Sequence, residues 1–248
     1  MSSAVAAPGA VRFARYAFPP NELGYCGPDD VSGVAELAGR AREFDGAWPY
    51  LTALAGEAGD PLDPAVVQAY WIGGPLLDRV DGDGLIRALR AAFRGQASGV
   101  LGSVAGAIAH HSFHVFAVYP WIRFLGTAPA LNVLQQCRIR WGTVESVDGD
   151  MLTMSSPALT YDGTGLHLGA ADTETVRWRA GAMTLPEPPR EGDMVAVHWN
   201  WVCERITAAE AAALSDATDR ALALVQAAKR CSAPNCVSAI GAESSPQA

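Results

Sequence analysis

The spacing of apolar residues changes near residue 136, and this change constrains the fold more than any other feature. Before it, apolar residues recur every three or four positions, as Leu85 and Leu89 do, which is the period of an amphipathic helix. After Cys137, short alternating runs are separated by turn residues, which is typical of β-strands. We therefore expect an α+β protein whose first domain, residues 1–136, is helical.

Turn and capping residues divide both halves into elements. Asp63 followed by Pro64 is typical of a helix start. In the second half, the Asp-Gly-Asp run at residues 148–150 indicates a hairpin turn. Thr207 and Glu210 have the spacing of a capping box, which predicts a closing helix after the strands.

Several short strands followed by one helix predict a small β-barrel with a C-terminal helix over residues 137–229. Residues 230–248 are small and polar, and we expect a disordered tail there. The most apolar helix candidate is Val104–Phe124, with a break at Pro120. The segment Arg15–Pro28 is so rich in turn formers that we do not expect a helix.

The charge balance restricts the classes of partner and mechanism. The net charge is −8 and the sequence pI is near 5.1, which argues against nucleic acid or an anionic membrane as a main partner. Lys229 is the single lysine among 18 basic residues. Schiff-base and Walker-type lysine mechanisms are therefore not expected. The other basic groups are guanidiniums, which suit pairing with carboxylates.

The five cysteines and the absence of membrane signals favour a cytoplasmic protein. Residues 1–12 lack the basic region and the long apolar region of a secretory signal. No window contains the roughly 18 uncharged apolar residues that a membrane span needs. In a reducing compartment, cysteines more often serve as ligands, nucleophiles or core residues than as disulfides.

Two segments of the second half resemble a known family. The run Cys137–Val144 (CRIRWGTV) places a cysteine five residues before a glycine, and Glu191–His198 (EGDMVAVH) ends in a Val-x-Val-His pattern. A Glu-Ala pair at Glu210 follows near the start of the last helix. Together they are similar to the HypC/HupF family of [NiFe]-hydrogenase maturation chaperones. Those proteins begin Cys-x-x-x-Pro-Gly-x-Val and carry a Gly-Asp-x-Val-x-Val-His strand.

The resemblance implies an OB-like barrel and a chaperone that takes part in assembling a metal centre. In that family the cysteine, assisted by the strand histidine, holds an iron that carries cyanide and carbon monoxide. The matching positions are Cys137 and His198. The implied cargo is the Fe(CN)2CO unit, and the implied partners are a HypD-like maturation protein and the hydrogenase large subunit. A thiolate is a soft ligand for iron, and an imidazole can ligate or hydrogen-bond beside it.

This sequence departs from the family pattern, and strand phase adds an expectation of its own. Cys137 is internal, whereas the family cysteine follows the initiator methionine, and Trp141 stands where the family has proline. Alternation predicts that one face of the last strands is core, formed by Val195, Val197, Trp199 and Trp201. His198 would then lie on the opposite, more exposed face.

Other candidate ligands lie in the helical half. His110 and His114 are four residues apart, so on a helix both would face one metal ion or haem edge. Cys26 precedes a predicted helix start, where the helix dipole lowers a thiol pKa. Two alternatives to the chaperone remain. The first is a metal- or haem-dependent enzyme that uses the histidine pair, with the barrel as a docking module. The second is a metal-free scaffold.

Overall fold

The computed structural model describes residues 7–57, 59–96, 99–181 and 183–231. Within them the chain is an α+β protein in which helices precede a five-stranded sheet and a long helix follows it. This order is the one that the sequence predicts. The predicted tail lies outside the described residues from residue 232 onward.

The α-helices of the described ranges are α1 (Pro8–Glu22), α2 (Val34–Gly39), α3 (Trp48–Ala55), α4 (Pro64–Trp71), α5 (Gly82–Ala92), α6 (His111–Phe113), α7 (Ala128–Cys137) and α8 (Ala208–Cys231). A π-helical turn, His114–Val118, continues α6. Short 3-10 helices are Ala41–Glu43, Pro75–Arg79 and Pro120–Phe124. None of these helices is long and apolar enough to cross a membrane.

The strands are β1 (Arg140–Asp148), β2 (Met151–Tyr161), β3 (Leu166–Arg177), β4 (Arg179–Ala180), β5 (Met183–Thr184), β6 (Met194–His198) and β7 (Trp201–Arg205). Five of them pair in the order β1-β2-β3-β7-β6, and β6 also pairs with β1. The contact between β3 and β7 is a single parallel pair, Arg177 with Trp201. The sheet therefore curves strongly, and this pair is the weakest contact between its strands.

Capping residues fix the helix ends that the sequence predicts. The Asp63 carboxylate accepts a hydrogen bond from the Ala65 N–H at 2.8 Å at the start of α4. The capping box of α8 is confirmed, because the Thr207 N–H donates to Glu210 at 2.8 Å and the Glu210 N–H donates to the Thr207 hydroxyl at 3.2 Å.

The predicted helix over Val104–Phe124 is wrong. Residues 101–110 contain no helix, and only α6 and short π and 3-10 turns follow. Gly102 and Gly106 lower the helix propensity of this segment. The Val100 N–H donates to the Ala117 carbonyl at 2.8 Å, so the segment folds back on its own apolar continuation instead of continuing as one helix.

The prediction for Arg15–Pro28 is also wrong in its first part. Helix α1 continues to Glu22 and contains Pro19 and Pro20, both buried. Each proline removes one intrahelical hydrogen bond. Burial of the apolar face of α1 outweighs this loss, because tertiary packing supplies most of the stability of such a helix.

Two apolar clusters organise the described residues. The smaller lies inside the curved sheet and is entirely apolar: Val144, Leu152, Met154, Val176, Trp178, Leu185, Val195, Val197 and Val202. The larger contains residues from the helices and from the outer face of the sheet, including Trp71, Cys137 and Leu214. We call the region where the helices meet the sheet the seam. The helical half and the sheet therefore share one continuous core.

Candidate metal centre

Strand pairing brings the end of α7 beside the end of β6. Antiparallel pairing places Arg140 opposite Val197. The Trp199 N–H, in the turn that follows β6, donates to the Gln136 carbonyl at 2.9 Å. Cys137, the last residue of α7, and His198, the last residue of β6, are thereby held against each other.

The buried guanidinium of Arg140 reinforces this junction. It donates to the Gln135 and Gln136 carbonyls at 3.2 and 3.0 Å and also to the Trp199 carbonyl. Its Nε lies 3.0 Å from Glu174, which balances the charge. A cation satisfying the last carbonyls of a helix is favourable both as a hydrogen-bond donor and toward the helix dipole. Arg140 therefore ties α7 to the turn after β6.

His198 is oriented by the carbonyl of Tyr16. Its Nδ1 lies 2.6 Å from that oxygen, and because a carbonyl only accepts, Nδ1 carries the proton and Nε2 is a free lone pair. Pro20 follows four residues later and has no N–H to donate to the same carbonyl. The Nε2 atom is buried without a hydrogen-bond partner. Burial lowers the pKa of His198 to about 4, opposed by the hydrogen bond to Tyr16.

His111 approaches the junction from the helical side. Its Nε2 lies 3.0 Å from the Cys137 carbonyl and therefore donates to it. Its Nδ1 lies 3.2 Å from the Tyr70 hydroxyl and accepts from it. Burial lowers the pKa of His111 well below its ordinary value, and the neighbouring histidines His198 and His114 lower it further.

One nitrogen of His111, the Cys137 sulfur and one nitrogen of His198 lie within 4.8 Å of one another, and all three residues are buried. Neutral imidazoles and a thiolate form a donor set for Zn²⁺ and other first-row metal ions. Burial raises the pKa of the Cys137 thiol, so without a metal the sulfur keeps its proton. A bound cation would replace that proton, since metal binding deprotonates a ligating cysteine. The donor types therefore suit a metal ion, which His111 would bind in exchange for one of its two hydrogen bonds.

The cluster faces a cavity of about 50 Å³ whose lining also includes Cys26 and His114. A water needs about 10–15 Å³ on this measure, so the cavity holds roughly three or four small groups. Pockets for larger organic ligands have volumes of about 300–1,000 Å³. The cavity therefore suits an ion with two or three water-sized ligands and is too small for haem.

The comparison with family models covers nearly the whole chain. The model described as "Family of unknown function (DUF6390)" matches residues 5–232. The chain belongs to the DUF6390 family. No curated protein and no solved structure matches it. Because the match includes both the helices and the sheet, the residues that form the seam all lie within one family sequence.

In this DUF6390 chain, four of the five predicted site residues line one cavity. They are Cys26, His114, Cys137 and His198. The expected exposure of His198 is wrong, because 1% of its surface is accessible. Helix α1 contacts it through the Tyr16 carbonyl, and Trp71 of α4 lies with its ring 5.9 Å away. The strand is thus covered on both faces.

The expected phase of the last strands also fails after β6. Trp199 adopts a left-handed backbone with φ 52°, which makes a tight turn and interrupts the alternation. Val195 and Val197 belong to the interior cluster as expected. Trp199 and Trp201 belong instead to the larger cluster on the helix side.

The lowered pKa expected for Cys26 is wrong. The residues adjacent to Cys26 in the sequence form turns, and the next helix begins only at Val34. No helix N-terminus therefore stabilises the thiolate. Desolvation raises the pKa of Cys26 to about 12.

The predicted histidine pair of the helical half is not formed. His110 has an extended backbone with φ −130° and ψ 146° and precedes α6, so it and His114 do not share a helix face. Its Nδ1 accepts from the Ser112 N–H at 3.1 Å, which makes it a helix cap. The residue that reaches the cluster is His111, for which the sequence predicted no role. Three histidines within five residues are the one signal that pointed to it.

Proposed function

We propose that this protein is an accessory chaperone of [NiFe]-hydrogenase maturation that holds an iron unit at the seam. Cys137 would supply a thiolate and His198 an imidazole nitrogen, and His111 would add a second imidazole in exchange for one of its hydrogen bonds, to the Cys137 carbonyl or to the Tyr70 hydroxyl. The cargo would be the Fe(CN)2CO unit, presented or transferred rather than used in catalysis. The observation that carries the proposal is the convergence of these three buried donors within 4.8 Å.

Three further features bear on this proposal. The Nε2 atom of His198 is buried and makes no hydrogen bond of good geometry with the described residues, and the Cys137 backbone lies close enough to influence the pKa of this imidazole. The cavity of about 50 Å³ has room for roughly three or four water-sized groups, so the Fe(CN)2CO unit, with seven heavy atoms, would enter only as the cavity widens. Cys137 and His198 are the two residues that match the HypC/HupF pattern. We accordingly propose that the curved five-stranded sheet is a HypC-like, OB-like barrel.

The proposed partners follow from the same resemblance. A HypD-like maturation protein would contribute to assembly of the unit, and the hydrogenase large subunit would receive it. We propose a cytoplasmic location, where the acceptor would be folded and thiols stay reduced. In this chain the helical half covers the site, so it would perform part of the shielding that a separate partner otherwise supplies.

Infrared spectroscopy on the full chain tests the proposal. Protein purified anaerobically from cells that mature a [NiFe]-hydrogenase should contain iron and show cyanide and carbonyl bands. Cys137→Ala should lose both. Cys203→Ala removes another buried thiol, one outside the cavity lining, and should keep both. Absence of the bands from the wild-type protein, together with unimpaired hydrogenase maturation in cells that carry only Cys137→Ala, would refute the proposal.

The alternative of a haem- or metal-dependent enzyme built on His110 and His114 has no comparable support. His110 is a helix cap, and the cavity is too small for a macrocycle. His114 does line the cavity, so it belongs to the same region as the three donors.

A further inference from the structure

On one side, a layer of partly exposed residues covers the buried cluster. Beyond this layer, at the surface, lies a hollow of about 230 Å³ that is lined in part by Asp45 and Gln96. Four residues line both the hollow and the cavity: Cys26, Gly46, His114 and Tyr119. All four are partly exposed, whereas His111, Cys137 and His198 are buried. These four residues, which we call the wall, separate the three buried donors from solvent.

Two wall residues carry metal-binding atoms. His114 lines both the cavity and the hollow, and its ring lies 6.3 Å from that of His111. The Nδ1 atom of His114 lies 3.3 Å from the Tyr50 hydroxyl. Cys26 supplies a sulfur and influences the pKa of Cys137 through their mutual charge interaction. Thiol and imidazole side chains therefore extend from the buried cluster to the surface hollow.

The third wall residue, Gly46, leaves space beside His114. A Cβ atom at this position would lie 3.3 Å from the Cε1 and Nε2 atoms of His114, which is closer than an ordinary van der Waals contact. Asp45, the preceding residue, is exposed at the hollow and adds a negative charge at its mouth. A cation is therefore attracted to the hollow, and the gap at Gly46 adjoins the nitrogen that could first bind it.

We propose that the wall is the passage through which a soft or borderline divalent metal ion reaches the buried cluster, with Cys26 and His114 as transient ligands. This inference rests on the metal-binding part of the proposed function and extends it to the loading step. Ligands outside the final site lower the barrier to transfer, because the ion exchanges one donor at a time and is never without protein ligands. Cys26 and His114 would thus control the rate of loading, and the buried cluster would control the affinity.

Stopped-flow absorption with Co²⁺ and metal-free full-length protein tests the passage. The wild type should take up one ion and develop a thiolate-to-metal charge-transfer band. Cys26→Ser and Gly46→Ala should load about tenfold more slowly, which corresponds to ~1.4 kcal/mol of added barrier. Both should reach the wild-type stoichiometry and band intensity, because Cys137 remains. Gly39→Ala is the control for the glycine change, since a Cβ there meets nothing within 4 Å. Cys203→Ala is the control for the thiol, and both controls should load at the wild-type rate.

The outcomes separate the passage from the metal centre. If the wild type loads and both wall variants load equally fast, the passage is refuted and the metal centre stands. A halved band in Cys26→Ser would make Cys26 a permanent ligand and would also overturn the passage. If the wild type binds no Co²⁺ at equilibrium, the metal centre itself is refuted, and the passage with it. Far-ultraviolet circular dichroism verifies that each variant is folded before its rate is compared.

Discussion

The two faces of β6 are both buried, yet they differ completely in chemistry. Val195 and Val197 pack with apolar side chains of neighbouring strands, such as Leu152. His198 points toward the helices, where it meets the Tyr16 carbonyl and the buried cysteine Cys137. Val197 therefore lies among apolar side chains, whereas the next residue, His198, lies in the polar, hydrogen-bonded seam.

The difference follows from what each neighbouring layer can supply. Inside the sheet, backbone groups are already paired between strands, so a polar side chain there would lack partners and would cost free energy. At the seam, helix ends and a proline-containing helix leave carbonyls free, and these carbonyls orient the imidazoles. Polar side chains such as His198 can therefore find hydrogen-bond partners where the two halves meet. The sheet interior holds in place the strands that carry these side chains.

The largest expected effect comes from placing a charge on the apolar face. Val197→Asp should lower the free energy of unfolding by at least about 4 kcal/mol, because it buries an unpaired carboxylate. His198→Ala, one residue further, should cost only about 1–3 kcal/mol, because it leaves the Tyr16 carbonyl without its donor. Urea-induced unfolding followed by circular dichroism measures both.

Val147→Asp is the matched control for this pair. Val147 lies on β1 with 38% of its surface exposed, and a carboxylate there should change stability by less than about 0.5 kcal/mol. Equal losses for Val197→Asp and His198→Ala would break the contrast between the two faces.

The sequence allowed some of these features to be predicted and not others, for physical reasons. Local signals decided α4 and α8, because Asp63 and Thr207 cap their own helices through contacts within three residues. The pairing of Cys137 with His198 was accessible only through a family pattern, since it depends on strand register. The helix through Pro19 and Pro20 could not be foreseen, because distant packing overrides local propensity there.

The site itself was predictable in its residue types more than in its geometry. Cys26 and His110 were placed on wrong local structure, and yet four of the five candidates line the cavity. His111 was missed because its role depends on the carbonyl of Cys137, a contact across 26 positions. Likewise, His198 was assigned to an exposed face because alternation along a strand shows two faces but not what covers each of them.

Acid should weaken the seam before it affects the sheet interior. Burial lowers the pKa of His110 to about 3 and those of His114 and His198 to about 4, against about 6.5 in an unfolded chain. Between those limits the unfolded chain binds protons that the native chain does not, so stability falls as pH decreases from 6.5 toward 4. Each buried histidine contributes at most about 1.4 kcal/mol per pH unit.

His110→Gln in metal-free protein isolates one of these contributions. The slope of unfolding free energy against pH between 6.5 and 4 should decrease by up to ~1.4 kcal/mol per pH unit. An unchanged slope in His110→Gln would show that the seam is not the acid-sensitive region.

The smallest effect should come from Pro20, which lines the cavity but offers no ligand atom. Pro20 leaves the Tyr16 carbonyl without an intrahelical donor, and His198 Nδ1 takes that place at 2.6 Å. Pro20→Ala would supply an N–H that competes for the same oxygen, which weakens the hold on the His198 ring. Outer hydrogen bonds to ligating histidines are worth about 10–100-fold in metal affinity, and because the carbonyl has a second lone pair we expect about tenfold for Co²⁺ here. Pro19→Ala is the control, since it adds an N–H toward the carbonyl of Arg15 instead. Equal affinities of the two variants would mean that the seam does not orient its histidine through the helix, and that Pro20 has only a packing role.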